Sequence, residues 1–169
     1  MDNAETAKTG IFQDWDANEG SPKGKFVMLF FRLCQRVRKL PCGLWLLGAP
    51  ILGVYVLLVH WLMGIELDYR SEIGAGLCIR HGTGLVVHPE VRIGAACVLR
   101  QGVTIGDRLP RKGVPVLSDN VNVGVGALIL GPISVGEDAV IGAGSVVIHD
   151  VAPKSVVAGN PARVIRLNH

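Results

Sequence analysis

A histidine set among small residues is the feature of this sequence best suited to chemistry. His81 lies in the run Arg80-His81-Gly82-Thr83-Gly84, between Ile79 and the apolar stretch 85–87. An imidazole exchanges protons near neutral pH, and small neighbours let a ligand approach its ring. The position therefore indicates a candidate acid–base site, and the alternative is an ordinary surface histidine at a turn.

The remaining histidines and the cysteines indicate neither a metal site nor a reactive thiol. His81 and His88 form a pair without a third histidine near them, and a zinc site would need further ligands. We interpret the other histidines as core or surface residues: His60, His149 and His169. No C-x-x-C spacing occurs among the cysteines, which are Cys34, Cys42, Cys78 and Cys97. Four such cysteines without a secretion signal ahead of them fit reduced thiols in a cytoplasmic protein.

Composition limits the classes of protein that can house such a site. The chain has 169 residues, a formal net charge of +3 and 49% hydrophobic residues, which fits one folded domain rather than a disordered chain. Aromatic residues make up only 5%, whereas glycine reaches 22 residues. We therefore expect a core of short aliphatic strands joined by tight turns. The small excess of positive charge gives no indication of nucleic-acid binding.

From Ile73 onward the sequence repeats every six residues. One series of apolar residues at this spacing, interrupted only at Arg111, is Val87, Ile93, Leu99, Ile105, Leu117, Val123, Ile129, Val135, Ile141 and Val147. A second series is Ile73, Ile79, Leu85, Val91, Cys97 and Val103. A sustained period of six fits neither a helix nor an alternating strand, but it is typical of a parallel β-helix, in which each hexad supplies one strand and one turn. We predict an all-β repeat fold over residues 65–169.

The chain before the repeat divides into two parts. Residues 1–25 are polar and are expected to form an arm that orders where it docks, whereas residues 26–64 are strongly apolar. In the first half of this apolar segment, a spacing of three to four residues predicts an amphipathic helix with a basic border. Between Gly43 and Gly64 there is no Asp, Glu, Lys or Arg. Three interpretations of this stretch are possible: a helical hairpin packed on the protein, peripheral association with the inner face of the cell membrane, or a transmembrane helix.

The repeat resembles a known family in detail. The runs RHGTGLVVHPEVRIGAACVLRQGVTIG and NVGVGALILGPISVGEDAVIGAGSVVIHDVAPKSVVAGNPARVIR are similar to the hexapeptide-repeat acyltransferases, and the resemblance covers residues 60–166. Within that superfamily the chain looks most like the serine acetyltransferase branch and its relatives in exopolysaccharide synthesis, such as the colanic acid acetyltransferases. The resemblance implies a left-handed parallel β-helix, acetyl-CoA as the acyl donor, no metal, and a homotrimer with active sites between subunits.

The resemblance also implies a catalytic pair. His81 falls at the family's catalytic histidine, which would deprotonate the acceptor hydroxyl for direct transfer, without an acetyl-enzyme. In the family a carboxylate near the start of the β-helix orients this base. Its position corresponds to Glu66 here, and Asp68 is the second choice.

Coenzyme A would bind along the later coils, where relatives keep small residues beside the pantetheine arm. The matching positions in this chain are Gly126, Ala127, Ala143 and Gly144. Arg163 and Arg166 in the closing segment are candidates for the nucleotide phosphates, because a guanidinium suits them.

The acceptor is where the sequence departs from serine acetyltransferases. The Asp that precedes the family's catalytic histidine is replaced by Arg80, and an Arg-His pair is replaced by Gly113 and Val114. Because Arg80 would repel the ammonium of serine, we expect the acceptor to be a sugar hydroxyl of an exopolysaccharide or its lipid-linked precursor, with Arg80, Arg108 and Arg111 facing it. Serine O-acetylation in cysteine biosynthesis is the alternative activity. A β-helical scaffold held at a membrane is the non-enzymatic alternative.

Overall fold

The computed structural model of this chain describes residues 10–41, 43–110 and 112–167. A 3₁₀ turn, Gly10–Phe12, precedes helix α1, Pro22–Arg38. Helix α2, Trp45–Tyr55, continues directly into a π-helical segment, Val56–Leu62. No helix in these described ranges is both long enough and apolar enough to cross a membrane.

The rest of the described chain consists of short strands. In chain order they are β1 Ile65–Leu67, β2 Glu72–Ile73, β3 Cys78–Arg80, β4 Leu85–Val87, β5 Arg92–Ile93, β6 Val98–Arg100, β7 Thr104–Gly106, β8 Val116–Leu117, β9 Asn122–Val123, β10 Leu128–Leu130, β11 Ser134–Val135, β12 Val140–Ile141, β13 Val146–Val147, β14 Ser155–Gly159 and β15 Ala162–Leu167.

Three parallel sheets form the faces of a prism. Sheet A has the order β1-β4-β7-β10-β13, sheet B has β2-β5-β8-β11, and sheet C has β3-β6-β9-β12-β14. Successive strands visit the three faces in turn, so each circuit of the chain adds one coil to the stack. β15 pairs antiparallel with β14 and closes the last coil. The predicted left-handed parallel β-helix with an N-terminal helical segment is confirmed.

Aliphatic side chains at the repeating positions fill the prism. Every member of the two predicted series is buried. Equivalent residues stack on adjacent coils, as Ile79 does on Leu99 and Val87 on Ile105. Burial of each such side chain stabilises the fold by roughly 1.5–3 kcal/mol before entropy is counted.

One corner of the first coil is longer than the corner stacked on it. Ile79 pairs with Leu99, and Val87 pairs with Ile105, yet eight residues separate Ile79 from Val87 while six separate their partners. Two extra residues are therefore accommodated between β3 and β4. His81 lies in this enlarged corner.

The N-terminal segment caps β3, the edge strand of sheet C, whose outer backbone groups need partners. The side-chain amide of Asn18 donates to the carbonyl oxygen of Leu77 at 2.7 Å and accepts from the amide nitrogen of Ile79 at 2.9 Å. Asp14 accepts from the amide of Leu77 at 3.0 Å, and the Ser21 hydroxyl donates to the carbonyl of Ile79 at 2.9 Å. Residues 14–21 thus replace the missing neighbour strand.

The helices cap the other two faces of the first coil. Arg32 of α1 donates from Nη1 to the carbonyl of Ile73 at 2.9 Å and from Nη2 to that of Gly74 at 2.6 Å, beside β2. Tyr55 of α2 donates its hydroxyl to the carbonyl of Leu67 in β1 at 2.7 Å. Side chains from residues 14–21, α1 and α2 together therefore close the open end of the β-helix on all three faces.

Helix α1 begins four residues before the expected start of the apolar segment. The Ser21 hydroxyl accepts from the amide of Gly24 at 3.2 Å, and Pro22 occupies the first helical position. Both are strong helix-start signals, so the polar residues before Phe26 join the helix.

Candidate active site

His81 has a backbone conformation that is unusual for its residue type. It follows β3 with φ at +65°, in the left-handed region, and its side chain is exposed. A non-glycine residue in this region carries a conformational cost, and such residues are concentrated at functional sites. The enlarged corner therefore presents an imidazole to solvent at the edge between sheets C and A.

Contacts with two other segments, the start of β1 and helix α1, hold this corner. The amide of Gly84 donates to the carbonyl of Gly64 at 2.7 Å, just before β1. A side chain at Gly82 would meet Ile65, with a Cβ only 2.9 Å from its Cδ1. Lys23 of α1 donates from Nζ to the hydroxyl of Thr83 at 2.8 Å. Lys23 was not identified from the sequence, since nothing local marks a lysine 60 residues away as a partner of this corner.

The two candidate carboxylates, Glu66 and Asp68, differ in whether another side chain already binds them. Glu66 is the exposed central residue of β1, between buried Ile65 and Leu67. Asp68 lies after β1 and accepts from Arg70, with 2.7 Å between Oδ2 and Nη2. Burial alone would raise the pKa of Asp68, but hydrogen bonds and positive charge from Arg70 outweigh burial and lower that pKa. Within the described residues neither carboxylate is hydrogen-bonded to the ring of His81, so the orienting role of Glu66 stays a prediction.

We expect Glu66→Gln to lower kcat by up to about 10²-fold, the cost of a misplaced catalytic group, and so by less than removal of His81 itself. Asp68→Asn should lower kcat less than Glu66→Gln, because Asp68 already pairs with Arg70. Steady-state kinetics of the two variants decides between them. If Asp68→Asn is the more damaging change, the two carboxylates exchange roles.

A column of glycines runs from the His81 corner along the same edge of the prism. Its members on successive coils are Gly84, Gly102, Gly126 and Gly144, all with φ between +65° and +72°. A Cβ on Gly84 would lie 3.6 Å from the Cα of Gly102, and one on Gly102 would lie 3.5 Å from the Cα of Gly126. At Gly126 and Gly144 a Cβ would meet nothing within 4 Å. At these four positions the edge thus has no side chains, and the space beside Gly126 and Gly144 is open; we call this glycine-lined edge the groove.

The structure places the predicted coenzyme A residues in two different environments. Gly126, Ala143 and Gly144 lie along the open edge. Ala127 does not, because its side chain is fully buried in the core and its carbonyl accepts from the amide of Thr104 at 3.0 Å. Its side chain therefore cannot contact a ligand in the groove.

The two arginines of the closing segment are exposed on β15. Arg163 pairs with Ala158, and the Ala158 side chain lies over Gly142, next to the groove. Arg166 pairs with Val156, at the other end of the strand. Arg163 is thus the better placed of the two for a phosphate at this edge.

The predicted acceptor arginines are not gathered in one place. Arg80 ends β3 at the edge between sheets C and A, and its guanidinium donates to the carbonyl of Glu19 at 3.3 Å. Arg108 lies in the loop between β7 and β8, at the opposite edge of sheet A. Arg111 is outside the described residues.

The cysteines of the β-helix are packed inside the protein. Cys97 is buried, donates from Sγ to the carbonyl of Ser118 at 3.2 Å, and burial raises the pKa of its thiol to about 11. The thiolate is the nucleophilic form, so Cys97 is unreactive near neutral pH.

We therefore expect Cys97→Ala to retain turnover and wild-type Cys97 to resist iodoacetamide until the pH approaches 11 or the chain unfolds. Peptide mass mapping after alkylation measures how far Cys97 has reacted with iodoacetamide. Isolation of an acetyl group on Cys97 during turnover would contradict direct transfer.

Comparison with known proteins agrees with the fold. Residues 118–148 match a family described as the hexapeptide repeat of succinyl-transferase. The chain is 43% identical over 106 residues to a serine acetyltransferase of Synechococcus elongatus, covering 62% of this chain and 43% of that protein.

Two solved structures extend the likeness across most of the chain. Serine acetyltransferase of Brucella abortus in complex with coenzyme A superimposes with a TM-score of 0.73 at 30% identity, covering 88% of this chain and 58% of that one. Soybean serine acetyltransferase complexed with serine gives a TM-score of 0.71 at 32% identity, covering 86% and 58%. This chain spans about half the length of the curated relatives that it matches. Its repeat and its β-helix are similar to those of these serine acetyltransferases and of the hexapeptide-repeat family that its residues 118–148 match.

These relatives correct the expectation of an exopolysaccharide acceptor, which is wrong. The named relatives are serine acetyltransferases, and none is an exopolysaccharide O-acetyltransferase. The guanidinium of Arg80, on which this expectation was based, is exposed and donates to the carbonyl oxygen of Glu19 at 3.3 Å. The charge of one solvated side chain beside His81 is a weak basis for choosing an acceptor.

Proposed function

We propose that this chain is an acetyl-CoA-dependent serine O-acetyltransferase with His81 as its general base. The observation that carries the proposal is the exposed, left-handed His81 at the end of a glycine-lined groove, in a chain similar to serine acetyltransferases over more than 100 residues. An edge that is lined by glycines and open at Gly126 and Gly144 suits the narrow pantetheine arm. The exposed imidazole lies at the same edge, where a thioester and a small hydroxyl compound can both approach it.

In this mechanism His81 takes the proton of the serine hydroxyl as its oxygen attacks the thioester carbonyl. A carbon–oxygen bond forms, the carbon–sulfur bond breaks, and the proton passes from His81 to the departing thiolate of coenzyme A. Glu66 orients the imidazole and favours its protonated state during transfer. Both substrates are bound together, so no residue of the chain becomes acetylated.

The proposal includes a homotrimer, because one protomer holds the parts of the site at two separate edges. The His81 corner lies at one edge of sheet A, and the loop with Arg108 and Lys112 lies at the other. In a closed ring, that loop would meet the neighbouring protomer's His81 corner. Its cations have the charge needed for the carboxylate of serine, a role that the uncharged Gly113 and Val114 cannot fill.

We expect light scattering at micromolar concentration to give three times the mass of the chain. Because Leu109 at the tip of the loop is 82% exposed in the single protomer, it is a suitable reporter of this contact. Leu109→Glu should weaken the trimer and reduce activity together. A stable, active monomer would contradict both the trimer and the shared site.

The activity itself is tested by release of the coenzyme A thiol from acetyl-CoA, with and without L-serine. Release should require L-serine, should be slower with L-threonine, whose extra methyl group crowds the attacking oxygen, and should disappear in His81→Asn. Asn120→Ala is the control, because Asn120 is also a left-handed corner residue, with φ at +58°, but lies between sheets B and C, away from both edges of sheet A. Thiol release that is independent of serine would overturn the proposed acceptor.

A further inference from the structure

A cavity of about 1180 Å³ lies against sheet B and is lined by that sheet and by the C-terminal half of α1. Its wall runs from β2 on the first coil, across β5 and β8, to the turn after β11. Three strand spacings separate β2 from β11, a length of about 14 Å. The His81 corner lies at another edge, between sheets C and A, so the cavity is separate from the proposed active site.

The end of this cavity at the first coil has an excess of positive charge. Arg70 and Arg92 line it, but each already has a carboxylate partner. Three further cations line it from the end of α1, and we call them the basic cluster: Arg36, Arg38 and Lys39. Over residues 10–41, 43–110 and 112–167, none of these three forms an ion pair with a carboxylate. An anion among them would relieve the repulsion between their charges.

A buried hydroxyl at the same end lacks a hydrogen-bond partner. Ser71, just before β2, lines the cavity and is 1% exposed. Its amide donates to the carbonyl of Asp68 at 3.0 Å, and its carbonyl accepts from Gln35 Nε2 at 3.1 Å. Its hydroxyl makes no hydrogen bond to any of the described residues. Because a buried polar atom without a partner is costly and uncommon in native proteins, this hydroxyl indicates a group that the chain itself does not supply.

Arg32 holds this end of the cavity together without adding to its free charge. All five N–H donors of its buried guanidinium are used, and their acceptors are Asp14, Gln35 and the carbonyls of Ile73 and Gly74. Arg32 therefore fixes α1 against β2 but has no donor left for a ligand. The Arg36 guanidinium lies directly against Gly10, which has no side chain to displace it.

The far end of the cavity has the opposite charge. Asp119 and Glu137 follow β8 and β11, and both are exposed. They lie two and three strand spacings from β2, or about 10 and 14 Å along the sheet. Carboxylates repel phosphates but accept hydrogen bonds from hydroxyl and amino groups. The cavity therefore favours a compact ligand with its negative charge at one end, and it disfavours a nucleic-acid backbone, whose phosphates would continue to the acidic end.

We propose that this cavity binds a small molecule that carries a di- or triphosphate group. The phosphate oxygens would accept charge-assisted hydrogen bonds from the basic cluster, contacts for which guanidinium groups are well suited. One oxygen would also accept from the Ser71 hydroxyl and so supply its missing partner. Since the pair of Glu72 and Arg92 is exposed and its attraction is weak, Arg92 can also turn toward the phosphates. The rest of the ligand would occupy the space between the phosphates and the acidic end.

Isothermal titration calorimetry of the full chain with inorganic triphosphate tests this proposal. The wild type should bind the anion at one site per chain. Arg36→Gln/Arg38→Gln should weaken binding at least about 10-fold, and Ser71→Ala by about 2- to 10-fold, the range for one hydrogen bond. Glu72→Gln should strengthen binding by up to about fivefold, because it removes a negative charge beside the phosphates and frees Arg92.

ADP and inorganic pyrophosphate, which have the same number of phosphates, identify the source of the group. Tighter binding of ADP would indicate a nucleotide, and equal binding would indicate recognition of the phosphates alone. Both results agree with the proposed site.

Two control variants separate this cavity from general attraction of an anion to a basic protein. Lys25→Gln removes a cation outside the cavity, about 16 Å from Arg36 at the other end of the same helix. Glu137→Gln changes a charge about 14 Å from β2, beyond the screening length of about 8 Å at physiological ionic strength. Both should bind inorganic triphosphate as the wild type does. The readout does not involve acetyl transfer, so it can fail or succeed independently of the proposed activity.

Absence of binding by the wild type at millimolar triphosphate would overturn the proposal, and the basic cluster would then serve only the dipole of α1. Equal losses in Lys25→Gln and in Arg36→Gln/Arg38→Gln would also overturn it. Loss of binding in Arg163→Gln, with none in the variants of the basic cluster, would place the anion at the glycine-lined groove instead.

Discussion

His81→Ala is expected to lower kcat by about 10²–10⁴-fold, the range for loss of a general base. The loss should appear in kcat more than in the KM for acetyl-CoA, because the glycine-lined groove is unchanged. Since His81 has φ at +65°, alanine there also adds backbone strain. His81→Asn is the sharper variant, because asparagine tolerates this conformation while lacking the base. Initial rates at saturating substrates, with the thermal midpoint measured in parallel, separate lost chemistry from lost folding.

Near-normal turnover in both His81 variants would remove this residue from the mechanism. Asn120→Ala supplies the comparison, because Asn120 is a left-handed corner residue, with φ at +58°, between sheets B and C and away from both edges of sheet A. A similar loss of activity in Asn120→Ala would indicate a general effect of altered corners rather than a missing base.

Asp14→Ala is expected to lower the free energy of unfolding by about 3–5 kcal/mol, the cost of leaving a buried charge without its partner. Asp14 Oδ2 lies 2.7 Å from Arg32 Nε, and the two side chains are 1% and 6% exposed. The same carboxylate also accepts from the amide of Leu77 at the edge of β3. Its removal therefore leaves the Arg32 guanidinium and one backbone amide without their carboxylate acceptor.

An exposed ion pair in the same protein supplies the control for this measurement. Glu72 and Arg92 are 2.9 Å apart, but their side chains are 72% and 66% exposed. Glu72→Ala should change stability very little, because such pairs are solvated and screened. Urea denaturation of both variants makes the comparison. Equal effects would show that the N-terminal segment does not stabilise the first coil as described.

The hexapeptide period predicted the fold well because each repeat is a local signal. The same period also shows which of the small residues near the site face the core. A second inward position continues at the same spacing through Val121, Ala127, Ile133 and Ala139, all buried. Followed this far, the period shows that the side chain of Ala127 faces the core, whereas the match to small residues grouped Ala127 with its neighbour Gly126.

Other features depend on contacts between residues distant in sequence. Asn18 and Leu77 are hydrogen-bonded across 59 positions, and nothing in the polar residues 1–25 marks which of them pair with β3. The guanidinium of Arg80 is directed toward the carbonyl of Glu19, and only the folded N-terminal segment shows this. The predicted acceptor is overturned by the named relatives, which are serine acetyltransferases, and the sign of one exposed charge could not have identified them.

Formation of O-acetyl-L-serine from acetyl-CoA and L-serine, followed by mass spectrometry, tests the proposed activity most directly. The purified chain should form this product in proportion to enzyme concentration, and His81→Asn should lower the rate to about 1% of the wild-type rate or less. Consumption of acetyl-CoA without O-acetyl-L-serine, or no product at saturating concentrations of both substrates, would contradict the proposed activity.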